Sequence, residues 1–149
     1  MGNAVSGLST HKSVSAALRH IRDAEHLLTS EEHQSLDQAY HLAGFGPECA
    51  RKACLQERWA DKALGHRDAE SEAKLVLDVL LSIDLHAHRY RVVGWESYEE
   101  LQQWGPESRY EASGTYAERR VRKLVDECRA IVDPIAIALW ADGLLREIP

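Results

Sequence analysis

Two residue types in this 149-residue chain could act on a phosphodiester without help from a metal: arginine and histidine. Arg19 and His26 lie seven apart in sequence, which places them on nearly the same face of a helix. In such a pair the guanidinium would stabilise a charged phosphate. The imidazole would act on a ribose 2′-hydroxyl or on the leaving oxygen. The chain holds eight histidines among many arginines, so one match of this kind is expected by chance. Arg19 and His26 are therefore a candidate catalytic pair, set against a solvated helix face.

Other chemistries leave weaker traces. His86 and His88 are two apart and would not share a helix face, and His20 and His26 lack helical ligand spacing. There is no H-E-x-x-H and no E-x-x-H, so no metal is expected, nor any other cofactor. Phosphate-cradling glycine loops and a G-x-S-x-G nucleophile turn are missing too. Cys49, Cys54 and Cys128 form an odd set without a C-x-x-C, and read as small buried thiols. Glu48 and Lys52 stand at i and i+4 in the better order for a charge pair. They form either an internal ion pair or the wall of a functional groove.

These residues need a scaffold, and the scaffold centres on 36–55, LDQAYHLAGFGPECARKACL. Its apolar residues fall on two adjoining faces, which marks a central helix packed on more than one side. Ala39, Ala43, Gly44, Gly46 and Ala50 are small enough for neighbours to approach closely. Before it, residues 1–12 read as a flexible lead-in, and a helix over 11–29 starts with Ser13 as cap and buries Val14, Ala17, Leu18, Ile21, Ala24 and Leu28. The central helix runs over 36–59 with a weak point at 44–47, where Pro47 cannot donate to the ladder.

A third helix is expected over 68–88, with Leu75, Val76, Val79, Leu80 and Ile83 inward. Residues 89–115 break the periodicity and hold two of the four tryptophans, Trp95 and Trp104. Ser97 could cap a short helix over 97–103, and the aromatics should lay this arm across the bundle. A last helix over 115–146 presents Val121, Leu124, Val125, Cys128, Ile131, Val132, Ile135 and Leu139, with Pro134 expected to kink or split it. Basic residues crowd its start, against the macrodipole, which hints at an anion or an acidic partner there. The sum is an all-α fold: an up-and-down bundle of four long helices plus a short helix in the 89–115 connection, as one domain over 13–146.

Bulk properties bound the function. A hydrophobic fraction of 44% and a charged fraction of 28% are ordinary for a globular domain. A net charge of −6 argues against nonspecific coating of nucleic acid, and leaves room for a local basic patch. There is no basic-then-apolar leader and no run long enough to span a bilayer. The expectation is a cytoplasmic protein with no membrane contact.

DAEHLL at 23–28 and the central stretch resemble the HEPN family (higher eukaryote and prokaryote nucleotide-binding) of small helical domains. Asp23-Ala24-Glu25, then Ala39-Tyr40-His41-Leu42-Ala43-Gly44, then Glu48-Cys49 and Lys52-Ala53 follow its pattern in order. Trp104-Gly105-Pro106-Glu107-Ser108-Arg109-Tyr110 looks like the "W...RY" element of solitary prokaryotic members. The resemblance covers roughly 13–145. It implies a bundle that forms a homodimer, from a family of metal-independent ribonucleases, often toxins, and of noncatalytic binders of RNA or nucleotides. Many members pair with a small nucleotidyltransferase encoded beside them.

The catalytic members carry R-x4–6-H late in the bundle, and this chain has no histidine after Arg89. The resemblance therefore implies a noncatalytic HEPN-like module binding RNA, a nucleotide or a partner protein, within a toxin–antitoxin or defence system. Glu48, Lys52 and Arg109 match family positions and would line the binding groove, with Trp104 and Tyr110 as stacking surface. Two other readings stand beside it: a ribonuclease with a displaced site at Arg19 and His26, and a purely structural or interaction bundle.

Overall fold

The computed structural model describes residues 3–54 and 87–147, with side chains from residue 10 onward. Among the described residues there are helices and turns and no strand, so the fold class is all-α. Five α-helices are described: α1 (Asn3–Thr29), α2 (Leu36–Ala43), α3 (Phe45–Ala53), α4 (Glu99–Gln103) and α5 (Glu118–Ala141). Three 3₁₀ turns, Ala87–Tyr90, Trp95–Ser97 and Pro106–Tyr110, punctuate the segment that leads to α5. The expected third helix over 68–88 lies outside the described residues except for its last two, which belong to the first of these turns.

α1 begins at Asn3 rather than at residue 11, so residues 3–12 are helical instead of a lead-in, and Ser13 sits inside the helix rather than at its cap. The expected inward stripe is nonetheless right. Val14, Ala17, Ile21, Ala24 and Leu28 are buried, with Leu18 partly so. The corner after α1 is closed by its own carbonyls. Ser30 N–H donates to the His26 carbonyl at 2.9 Å and Ser35 N–H to the Leu27 carbonyl at 2.9 Å. The Gln34 amide donates to the Leu28 carbonyl, also at 2.9 Å, so three carbonyls of the last turn of α1 have partners in this corner.

The central helix divides where Pro47 requires it. α2 ends at Ala43 and α3 starts at Phe45, so Pro47 falls in the first turn of a new helix, where its missing N–H costs nothing. α1 packs on α2, α3 and α5, and α5 also packs on α2 and α3. The small residues set these distances. A β-carbon at Gly46 would stand 2.7 Å from Ile21 Cδ1, so the glycine lets the Ile21 side chain of α1 pack closely on α3.

α5 buries the full expected stripe from Val121 to Leu139. It starts at Glu118 and ends at Ala141, shorter than the expected 115–146. Pro134 does not split it. Pro134 and Ala130, whose carbonyl loses its helical donor, both face solvent, where water can take the bond. The helix stops in a Schellman arrangement. Gly143, at φ +75°, donates to the Trp140 carbonyl at 2.9 Å, and Leu144 N–H donates to the Leu139 carbonyl at 2.9 Å.

The basic start of α5 finds its anions within the chain. Arg120 makes a forked pair with Glu100 at 3.0 Å, Lys123 reaches Glu99, and Arg122 pairs with Glu118. In return the Glu127 carboxylate accepts from Leu101 N–H at 2.9 Å, at the open N-terminus of α4. α4 is shorter than expected, starting at Glu99 rather than 97. Ser97 does not cap it, because its hydroxyl donates backwards to the Gly94 carbonyl at 2.7 Å. As expected, the arm lies on the bundle: Tyr90, Leu101 and Trp104 are buried and join the core.

Candidate functional site

One cluster of polar groups with a solvent face stands on three separate elements. His20 projects from α1, His41 from the last turn of α2, and Ser108, Arg109 and Tyr110 from the 3₁₀ turn Pro106–Tyr110. The Phe45 ring packs against both imidazoles, with its centroid 5.6 Å from that of His20 and 5.0 Å from that of His41. Trp104 closes the wall behind, 5.0 Å from Phe45 and edge to face. His41 Nδ1 lies 3.0 Å from Ser108 Oγ, a hydrogen bond across 67 residues of sequence whose donor depends on the imidazole tautomer.

Local rules explain how the cluster comes to exist. Gly44 has no β-carbon, so the indole of Trp104 can lie against the α2–α3 joint. Trp104 Nε1 donates to the Tyr40 carbonyl at 3.0 Å, which holds the indole in place. Pro106 then starts the 3₁₀ turn that presents Ser108 to His41. On the far side, Asp37 accepts from Gly114 N–H at 2.7 Å and Tyr116 N–H at 3.1 Å, so the loop after this turn is tied to α2. Tyr116 then stacks on Tyr40 at 3.7 Å.

The electrostatics favour neutral imidazoles. Burial, then Arg109, then His20 hold His41 below its ordinary value. Burial and Arg19 lower His20 in the same way, with Asp23 opposing them. Arg109 and Tyr110 are exposed, Tyr110 at 76%, and the guanidinium carbon lies 4.7 Å from the Tyr110 ring centre. A flat aromatic face with a cation on it, next in sequence to the Ser108 hydroxyl that meets His41, can stack a base and receive a phosphate.

The residues singled out from sequence separate into groups. Arg19 and His26 are both exposed on α1, two turns and so about 10 Å apart along the axis, and no contact joins them. Glu48 and Lys52 form the internal ion pair, at 2.7 Å, with side chains only 5% and 9% exposed. Trp104, expected as stacking surface, is 4% exposed and belongs to the core, because its indole fills the space that Gly44 leaves. Arg109 and Tyr110 are brought together at the surface.

Sequence reading missed His20, His41 and Ser108. His41 lies in the quoted Ala39–Gly44 stretch and Ser108 in the Trp104–Tyr110 stretch, yet no spacing rule links them. None of the three cysteines forms a disulfide, and burial pushes the Cys128 thiol well up. Among the described residues no group of three or more His, Cys, Asp or Glu could hold a metal ion, and no helix is long and apolar enough to cross a membrane.

Comparison with protein-family models, with curated proteins and with solved structures finds no match to this chain.

Proposed function

We propose that this chain is a noncatalytic HEPN-like helical module, an up-and-down bundle, that binds RNA through the face formed by His41, Ser108, Arg109 and Tyr110. The observation that carries the reading is the Arg109 guanidinium against the exposed Tyr110 ring, next to the His41–Ser108 hydrogen bond. A base stacks on Tyr110 while Arg109 neutralises the adjoining phosphate. This local cation works despite a net charge of −6 because the contact is short and the two groups share one ligand. A binding rather than a cleaving role is favoured by the lack of any histidine after Arg89, which leaves no late R-x4–6-H pattern in the chain.

The reading includes a homodimer. Exposed Ile137 and Trp140, one turn apart on α5, supply an apolar face for it. It also includes a cytoplasmic setting and a nucleotidyltransferase-type partner in a toxin–antitoxin or defence pair.

The test is fluorescence anisotropy of a labelled mixed-sequence RNA in excess EDTA. The intact protein should bind in a salt-dependent way, and Tyr110→Ala or Arg109→Ala should weaken binding by about tenfold. Absence of binding, or affinities untouched by both substitutions, sinks the reading. Metal-independent cleavage of the probe, lost in an Arg19→Ala/His26→Ala variant, would replace it with the ribonuclease.

A further inference from the structure

We infer that the cavity where the end of α3, the first two 3₁₀ turns and α5 meet binds a small aliphatic monocarboxylate, with Arg51 and Arg91 holding the acid group. None of its lining residues belongs to the face formed by His41, Ser108, Arg109 and Tyr110, so this site is separate from the RNA-binding reading.

The cavity measures about 110 Å³. Its deep wall is apolar. Ile131 and Ile135 stand one turn apart on α5, opposite Cys54 and Ala87, and all four are buried. The Cys54 thiol donates to the Ala50 carbonyl at 3.4 Å, and the hydroxyl of Tyr90, which also lines the cavity, donates to Asp142 at 2.6 Å. These polar groups are engaged within the fold. An apolar cavity of about 150 Å³ takes benzene, so the matching body here is an aliphatic group of about three or four carbons.

Charge selects the head group. Arg51 is 8% exposed, and its guanidinium carbon lies 4.4 Å from the centre of the Trp95 ring; both residues line the cavity. The ring helps to orient the guanidinium, and dry surroundings strengthen the hydrogen bonds it gives. A guanidinium has five N–H donors, so holding one partner does not exhaust it. Arg91 and Glu96 line the cavity and are exposed, which puts them at its mouth. Two arginines against one glutamate leave the lining positive, which turns away an ammonium and favours a single negative charge. A phosphate would match the arginines but not the isoleucines. A short carboxylate matches both.

Isobutyrate is the probe, with isobutyramide and isobutylamine as controls of nearly the same shape. NMR titration of the full chain should give isobutyrate a dissociation constant of about 1 mM, and each control should bind at least about tenfold more weakly. The Trp95 indole N–H resonance should move with the acid. Arg91→Gln should cut the preference for acid over amide to about threefold, and Arg51→Gln, checked for folding by circular dichroism, should remove it. Val92→Trp, at a partly buried position in the wall, should block all three probes. Where Arg51→Gln does not fold, Arg91→Gln and Val92→Trp decide alone. Failure of isobutyrate to bind overturns the inference, and so does equal or tighter binding of either control. A preference for the acid that survives Arg91→Gln undiminished, or acid binding that survives Val92→Trp, overturns the assignment to this cavity.

Discussion

The Trp104 indole lies so close over Gly44 that a β-carbon at residue 44 would stand 2.1 Å from its ring. This contact couples the α2–α3 joint to the segment that carries Ser108 and Arg109. Gly44 has ordinary right-handed helical angles, φ −67° and ψ −19°, so the constraint is space and not backbone strain. Gly44→Ala should therefore cost about 3 kcal/mol, the upper range for overpacking, because a buried ring has little room to withdraw. Urea unfolding measures it, and a loss under about 1 kcal/mol would show that Trp104 yields easily.

Trp104 and Tyr110 should part company under substitution. Trp104→Ala should destabilise by about 3–5 kcal/mol, since it empties a core site and strips the Tyr40 carbonyl of its donor. Tyr110→Ala, at an exposed site, should change stability by no more than about 0.5 kcal/mol. Thermal unfolding of the two variants side by side is the check. Similar losses in both would return Tyr110 to the core and remove it from the binding face.

Stability should fall at both ends of the pH scale. The folded-state values of His20 and His41 lie below the ordinary 6.5, so the unfolded chain binds more protons as pH drops. Their contribution is present above about pH 6.5 and is lost on acidification below it. On the alkaline side, burial and the hydrogen bond to Asp142 push Tyr90 up to about 12, so the folded chain holds its proton longer. That contribution is present below about pH 10 and is lost as pH rises towards about 12. Urea midpoints across pH should show His41→Gln flattening the acid limb and Tyr90→Phe reducing the alkaline slope. An acid limb unchanged by His41→Gln would mean this imidazole is not held low.

The last helix is tied to the first by Arg129, whose Nε and Nη2 donate to the two carboxylate oxygens of Glu25 at 2.5 and 2.6 Å. Asp133 joins from one turn along at 3.2 Å. Both Arg129 and Glu25 are about a third exposed, with 36% of each side chain open, so solvent screens the pair. A double-mutant cycle with Glu25→Gln and Arg129→Met should return a coupling of about 0.5–1 kcal/mol, shrinking at high salt. A coupling near zero at low salt would make the forked geometry incidental.

Much of this architecture is legible from local pattern. The inward residues of α1 and α5, the break near Pro47 and the packing of the aromatic arm all follow from periodicity, ring chemistry and amphipathicity. The Glu48–Lys52 pair follows from i,i+4 spacing. These depend on neighbours within a turn or two, so a linear reading contains what they need. Helix ends were less legible. Glu99 and Glu118 start helices without a side-chain cap at the preceding residue, so no capping residue marks where they begin.

The site was the least legible part. Arg109 and Tyr110 are adjacent in sequence and could be paired at once, whereas His41 and Ser108 are 67 residues apart. His20 meets Phe45, which His41 also meets, only because α1 lies against α3. Trp104, expected as stacking surface, is buried, because the space it fills lies against a glycine at the joint of two other helices. Sequence alone thus determined which faces of the helices are apolar, since that is a property of each helix by itself. The tertiary structure decided which polar groups meet, because contacts across distant elements depend on interhelical distances that no local spacing encodes.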